Sequence, residues 1–310
     1  MNTKNLLIGL ISALPNEIEY LARILQPPVD IRDIGIRRFF IGYLNNRRVV
    51  ATLSGVGMTN AAMTTQIMID KFNISSVFFI GVAAILNPQY KIGDIVIADK
   101  WAEYQYQKLI RSENNGQSFI DNNSDFPNRF YRNNNGKIIS LTRPSCVSCN
   151  SITTGTNNSL VSNYFAIPME LQVLSIGVDP RSANFPEQFW LPVDSNLLSN
   201  IRKIISAGYT LNPIYSYTPT IYIGANGISS SSYVDNNEYG QLLNQQLNAD
   251  IVDMESAAFM HVCISNKIPA VTIRSMSDYP GRGDTNNFHN VVNITSVNNI
   301  NLVAQIIAHL

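Results

Sequence analysis

The chain is short of charge. Lys, Arg, Asp and Glu make up 14% of its 310 residues, against roughly a quarter in an ordinary globular protein, and 22 cations balance 22 anions. With no excess of positive charge there is no electrostatic footprint for a phosphate backbone, so nucleic acid is not expected as a partner. Cysteine is scarcer still. Three residues cannot build the disulfide framework of a small secreted domain, and any pairing leaves one over, which favours a reducing, cytoplasmic compartment. Cys146 and Cys149 form a C-x-x-C in "RPSCVSCNS", yet no second pair or neighbouring histidine completes a zinc set, so a metal-free loop is expected and no metal is assigned. Cys263, inside an apolar helical stretch, reads as a small core residue. No run reads as long enough to span a membrane, so none is expected as a partner, and no internal repeat is visible. "MNTKNLLIGLISALP" has features of a secretory signal in Lys4, a short apolar run and Ala13, which would make the protein secreted or vacuolar. A buried first strand is the preferred reading, because the run is short and leads directly into helical spacing at Ile18, Leu21, Ala22 and Leu25.

What the chain has in quantity is apolar patterning, with 45% hydrophobic residues. "NLLIGLISA" reads as a strand, Glu17 to Leu25 as a helix, and "RRFFIGYL" and "RRVVATLSG" as paired strands across Asn45 and Asn46, an α/β opening. A helix over "GMTNAAMTTQIMIDKF" follows, with Met58, Ala61, Ala62 and Ile69 near one face. "SSVFFIGVAA" and "KIGDIVIADKW" are then apolar on both faces, as strands of a covered central sheet are. The length allows one large domain or two ordinary ones. The pattern favours a single domain over residues 1–310 with a loop-rich excursion at about 111–218, inside which "FPEQFWLPVDSNLLSNIRKII" restores aromatic anchors and a helix. Strand "PTIYIGA", a helix from Glu238 to Leu247 and a final helix "INLVAQIIAHL" complete the reading.

Three carboxylates stand out in the mostly apolar "VDMESAAFMHVCISNKIPAVTIRSMSDYPG". Burying a carboxylate is costly unless it is paired or used. The expected module is a helix from Met254 to Ser265, a strand from Ala270 to Met276, and Asp278 at that strand's C-terminal end, where open α/β sheets place ligands. Asp253 and Glu255 are two apart, so on a helix they point in different directions and at most one is expected to face the cleft with Asp278. Asp253 reads most simply as a helix N-terminal acid favoured by the dipole.

"VDMESAAFMHVCISNKIPAVTIRSMSD" is similar to the C-terminal signature of the nucleoside phosphorylase and nucleosidase superfamily, whose members include methylthioadenosine/S-adenosylhomocysteine nucleosidase, purine nucleoside phosphorylase and uridine phosphorylase. "IGLISALPNEIEYL", "LSGVGMTNAAMTTQ" and "IGVAAILNPQYKIGDIVIADKW" occur in that family's order. "NPQ…IGD", "FWLPVD", "VDN" and "DMESAA" resemble its plant bark-storage-protein and nucleosidase-like branch. About two thirds of the chain is covered, and the middle excursion poorly.

The resemblance implies a three-layer α/β/α fold with a central mixed sheet, and cleavage of the N-glycosidic bond of a purine nucleoside without a cofactor. By its motifs Asp278 is the general acid at N7 of the leaving base, and Glu17 in "SALPNE" activates water. Glu255 grips the ribose hydroxyls, Met254 packs beside the sugar, and Tyr233 is the aromatic platform for the base. Val234, Ala83, Gly81 and Ser277 fall around the substrate. Phosphate is the alternative attacker; Gly55 and Gly57 of "SGVG" and Arg37 or Arg38 are its candidate holders, while Phe79 and Val82 lack the polar groups that phosphorylases place after the central strand. Hydrolysis is therefore favoured, with phosphorolysis and a non-catalytic storage or binding role as rivals. Ala84 replaces a usual glycine and either narrows the pocket or shifts a turn. Arg274 is expected to anchor the loop bearing Asp278. His289, in the polar loop "GDTNNFHN", is not assigned to catalysis. A homo-oligomer of two or more subunits is expected.

Overall fold

Strand β5 (Ile74–Ile85) organises the molecule, because its twelve residues are almost all buried and it is hydrogen-bonded along both edges. A strand apolar on both faces has to be covered on both, and that requirement builds the layers. The computed structural model describes residues 6–113, 118–119, 164–169, 171–172, 187–214, 216–282 and 285–310. In chain order its elements are β1 (Leu7–Ser12), α1 (Pro15–Ile24), β2 (Gln26–Ile34), β3 (Arg37–Leu44), β4 (Arg47–Leu53), α2 (Met58–Lys71), β5, β6 (Ile95–Glu103), β7 (Gln107–Glu113), β8 (Ser118–Phe119), β9 (Tyr164–Pro168), β10 (Leu171–Gln172), β11 (Glu187–Gln188), β12 (Leu191–Pro192), α3 (Ser195–Ser206), β13 (Ile221–Ser229), α4 (Asn237–Leu247), β14 (Ile251–Asp253), α5 (Ser256–Ser265), β15 (Ala270–Asp278) and α6 (Thr285–His309).

The sheet is mixed. β1 lies parallel between β4 and β5, and β15 runs parallel to the other side of β5. β15 also pairs antiparallel with β6, β6 parallel with β13, β13 parallel with β14, and β14 antiparallel with β5. These five strands therefore close into a ring, while β4, β3 and β2 extend the sheet from β1 as an antiparallel meander. α1 and α6 pack together on one face, and α2 and α5 on the other, which gives the expected three layers. The apolar run at the start of the chain is β1, buried at all six positions.

Several elements differ from the sequence reading. β2 was not expected: "QPPVDIRDI" is exposed along nearly its whole length, and it exists as an edge strand with two prolines and alternating charge, where neither is penalised. α6 begins at Thr285, so His289 lies in a helix instead of a loop. Two of its buried polar residues are satisfied within the helix, the Thr295 and Ser296 hydroxyls donating to the Val291 and Val292 carbonyls, while Asn298 and Asn299 bond neighbouring segments, and this polar content masks the helix in the pattern. Asn290–His309 is also long and apolar enough to cross a membrane, contrary to the reading of the sequence, but 61% of its apolar window is buried within the protein. The excursion contains short strands among its described residues, β7 pairing with β8 and β9, and β10 with β11. Cys146 and Cys149 lie outside the described residues.

Close packing inside the ring is set by Gly227, directly opposite Trp101 in the β13–β6 register. Trp101 is fully buried, its indole N–H donating to Thr272 Oγ1 at 2.7 Å, and a methyl at Gly227 would stand 2.5 Å from the ring. Gly227→Ala is expected to destabilise the protein by about 1–3 kcal/mol through overpacking. The urea midpoint should fall with no change in slope, and an unaltered midpoint contradicts this packing.

Candidate active site

The site grows from one arginine in β15, a fully buried strand in which it is the only cation. Arg274 sits opposite Gly81 in the β15–β5 register and is 1% exposed. Its Nε lies 2.9 Å from Asp253 Oδ2, Nε and Nη2 donate to Ser256 Oγ at 3.0 and 2.9 Å, and Nη2 stands 3.7 Å from Glu255 Oε2. The guanidinium covers the Phe79 ring at 4.6 Å, so the apolar residue noted in the sequence stacks on the cation. A side chain at Gly81 would collide with the guanidinium and meet Glu17 Oε1 at 3.2 Å. The glycine is needed there because two charged groups pass over it. Arg274 thus anchors Asp253 and the start of α5, and not the Asp278 loop as the sequence suggested.

Asp253 and Glu255 are not on a helix, which corrects the expectation that they diverge. Asp253 ends β14 and α5 begins at Ser256. Asp253 Oδ1 accepts the amides of Glu255 and Ser256 at 3.2 and 3.1 Å and the Ser229 hydroxyl at 2.5 Å. Both residues border the same cavity, but these bonds and Arg274 occupy the Asp253 carboxylate, whose role is structural. Glu255 is 5% exposed and accepts the Gly57 amide at 2.8 Å. Burial, and then the Asp253 charge, push its pKa up.

Glu17, in the first turn of α1, approaches from the other side. Its Oε2 accepts the amides of Ala13 and Leu14 at 3.1 and 2.9 Å, while Oε1 is buried without a hydrogen-bond partner among the described residues. Burial raises its pKa from 4.5 to about 7, more than the Leu14 and Ala13 amides and Arg274 lower it. Asp278 closes the site at the end of β15, where the register slips between Met276 and Asp278 and leaves Ser277 unpaired. That irregularity turns the acid toward the cavity. The Ser277 hydroxyl donates to Asp278 Oδ1 at 2.5 Å, with the Ala83 carbonyl at 3.2 Å as its other acceptor.

These groups surround a cavity of about 260 Å³ at the strand ends, near the lower end of the roughly 300–1,000 Å³ usual for small-molecule sites. Glu17, Glu255, Met254, Tyr233, Val234, Ala83, Ser277 and Asp278 all line it, as do Val82 and Ala84. Ala84 lies opposite Asp278 in the β5–β15 register. Tyr233 is at the rim, 54% exposed, with burial first and then the charges of Asp278 and Asp235 raising its pKa.

Gly81, Gly55, Gly57, Arg37 and Arg38 are not in the lining. Gly55 and Gly57 have φ of 81° and 102°, and the Gly57 amide is directed at Glu255. Arg37 bonds Thr64 and Asn60 on α2, and Arg38 bonds both oxygens of Asp33 at the surface. Among the described residues no cluster of three His, Cys, Asp or Glu side chains could hold a metal. Sequence reasoning missed the Asp253–Ser256–Arg274 cluster, although a lone arginine in "AVTIRSM" after "VDMES" was its signal.

A family model described as the phosphorylase superfamily matches residues 7–308. The chain belongs to the phosphorylase superfamily. It is 25% identical over 293 residues to 5′-methylthioadenosine/S-adenosylhomocysteine nucleosidase of Mycobacterium bovis, spanning 92% of this chain and 90% of that one. Over 97 residues, 31% of this chain and 42% of the relative, it is 33% identical to aminodeoxyfutalosine nucleosidase of Campylobacter jejuni. Among solved structures, the 5′-methylthioadenosine/S-adenosylhomocysteine nucleosidase of Colwellia psychrerythraea in complex with adenine shares the fold with a TM-score of 0.67 at 19% identity, over 99% of this chain and 96% of that one.

The superfamily fold keeps Glu17 buried, and this has a measurable cost. Below pH 4.5 the carboxyl is protonated whether the chain is folded or not, so it has no effect on stability. Between 4.5 and about 7 the unfolded chain ionises first, and stability falls with rising pH. At about 1.4 kcal/mol per pH unit, Glu17→Gln should be more stable than the parent by on the order of 3 kcal/mol above pH 7, with the difference vanishing near pH 4. Denaturant titrations across that range test it; a constant difference would mean Glu17 is not held protonated.

Proposed function

We propose that this protein hydrolyses the N-glycosidic bond of a purine nucleoside, releasing free base and free sugar. The observation that carries this reading is the single cavity in which Glu17, with one oxygen unpartnered and a pKa of about 7, shares the space with Glu255 and Asp278. A base poised near the working pH is suited to take a proton from water. In the proposed step the water oxygen forms a bond to C1′ and gives its proton to Glu17. The bond from C1′ to the base breaks with its electrons moving into the purine, and N7 takes a proton from Asp278. Between these events the sugar carries positive charge, which Glu255 stabilises while it orients the hydroxyls. Tyr233 and Val234 hold the base, and Met254 packs on the sugar. The names of the relatives, nucleosidases acting on adenosine or futalosine derivatives, support the same chemistry.

Water is favoured over phosphate because the groups that would hold a dianion are engaged elsewhere. Gly57 gives its amide to Glu255, Arg37 is held by α2, and Arg38 by Asp33. Arg274 is the one Lys or Arg lining the cavity among the described residues, and carboxylates surround it. A phosphate needs charge-assisted bonds to leave water, and here it would meet net negative charge.

The test is a panel of purine nucleosides, methylthioadenosine among them, assayed with and without phosphate for base and sugar products. Free sugar formed without phosphate is expected. Strict phosphate dependence with a sugar 1-phosphate product would make the enzyme a phosphorylase, and base binding without turnover would favour a non-catalytic role. In the active enzyme kcat/KM should rise with pH through about 7 as Glu17 ionises, and Asp278→Asn should lower kcat by about 10²–10⁴ with a smaller change in affinity. A homo-oligomer belongs to the same proposal, supported by the exposed Met63 on α2 and the low charge content of the chain. A monomer by light scattering at micromolar concentration would contradict it.

A further inference from the structure

Two loops bracket the base end of the cavity, and they are joined to each other. One, residues 230–235, leaves β13 and carries Tyr233 and Val234. The other, residues 279–282, leaves β15 just after Asp278. The Gly281 amide donates to Asp235 Oδ1 at 2.8 Å. The joint is tight: Gly281 has φ of 73°, and any side chain there would stand 2.5 Å from the Asn237 amide nitrogen. Pro280 rests against Gly240, where an added methyl would find it at 3.3 Å. The root of the first loop is fixed separately, by the Ser230 hydroxyl donating to Tyr104 at 3.0 Å and by Gln105 Nε2 donating to Ser232 Oγ at 2.9 Å. The root is thus held on the turn that follows β6 and the far end on the segment that follows Asp278, with Tyr233 and Val234 between them.

We infer that Asp235 is a positioning residue, whose bond to the Gly281 amide sets the distance between the platform that holds the purine face and the acid that meets its N7. This rests on the assignment of Asp278 to N7 in the proposed function. A carboxylate is suited to the task because a charge-assisted bond to a backbone amide is strong and short, and because Asp235 follows Val234 directly, so any slack in the bond moves the platform. A hydrogen bond to a purine nitrogen loses most of its worth when the partner is displaced by about an ångström.

The experiment is calorimetric titration of the wild type, Asp235→Ala and Asp235→Asn with adenine and with 7-deazaadenine, which keeps the ring face and amine but carries C–H in place of N7. The ratio of the two affinities reports the Asp278–N7 contact alone; general loosening of the loop weakens both ligands equally. The wild type is expected to prefer adenine about tenfold or more. Asp235→Ala should bring that ratio to within about threefold, and Asp235→Asn should retain most of it, because its amide oxygen accepts the same N–H. An unchanged ratio in Asp235→Ala overturns the inference, as does equal collapse in both variants or no preference in the wild type. Hydrogen exchange at the Gly281 amide of the wild type is a second readout that needs no variant: protection is expected, and exchange at the unprotected rate overturns the clasp. The nucleoside panel is separate. If bases bind with these ratios but no nucleoside is cleaved, the hydrolytic reading falls and the clasp stands.

Discussion

The ion pair between Arg274 and Asp253 is the constraint on which the site depends. It is fully buried, with side-chain exposures of 1% and 2%, and a buried pair offsets its desolvation only when the remaining donors and acceptors are also satisfied. Ser256 and Ser229 complete Asp253, while Ser256, the Phe79 face and the more distant Glu255 complete Arg274. Removing the arginine would leave the buried Asp253 carboxylate without its cation, and such a loss typically costs about 3–5 kcal/mol. The pair also fixes geometry. Because Asp253 takes the first amide of α5, the helix starts one residue after Glu255, and that residue is turned toward the cavity and the Gly57 amide. One acid of the "DME" triplet therefore staples the structure so that the other can face the cavity.

The sheet explains why residues so far apart in sequence converge. β5 pairs with β1, β14 and β15, and these strands end beside one another. Glu17 follows β1, Glu255 follows β14 and Asp278 ends β15, so three short excursions from one set of strand ends deliver all three carboxylates. This is the usual ligand position in open α/β sheets, reached here in a sheet that is partly closed into a ring.

Much of the fold was legible because buried strands such as "VFFIGVAA" and "AVTIRSM" leave apolar runs that no exposed element produces. What escaped was structure whose stability does not come from an apolar stripe. β2 is exposed and held by its ladder with β3. The part of α6 before Ile300 is rich in polar residues, Thr295 and Ser296 bonding within the helix, and Asn299 donates to the Gly81 carbonyl beneath the site. At the site, the residues that the family motifs indicated around the sugar and base do meet in one cavity, with Gly81 the exception. Gly81 supplies room instead of contact. The motif marks it as a position near the substrate, but only the three-dimensional arrangement shows that a guanidinium and a carboxylate occupy the space its side chain would take. The electrostatic role of Arg274 was hidden for the same reason: "RSMSD" places it near Asp278 in sequence, and only the folded arrangement shows that its bonds go to Asp253, Ser256 and Glu255.

The charge arrangement favours one class of reaction over another. Among the described residues Arg274 is the one Lys or Arg bordering a cavity that also holds Glu17, Asp253, Glu255 and Asp278, and Arg274 is already engaged. An anionic attacker such as phosphate would be brought into a negative field, while a neutral water pays no such penalty. A transition state that places positive charge on the sugar gains from the same field, and gains more because the cavity walls are apolar and screen it poorly. In the proposed hydrolysis, burial of Glu17 serves this end in a second way. A carboxylate left in water would be too weak a base to deprotonate water, and raising its pKa to about 7 strengthens it without leaving it fully protonated at neutral pH. The stability lost by burying that acid is thus the physical source of its basicity.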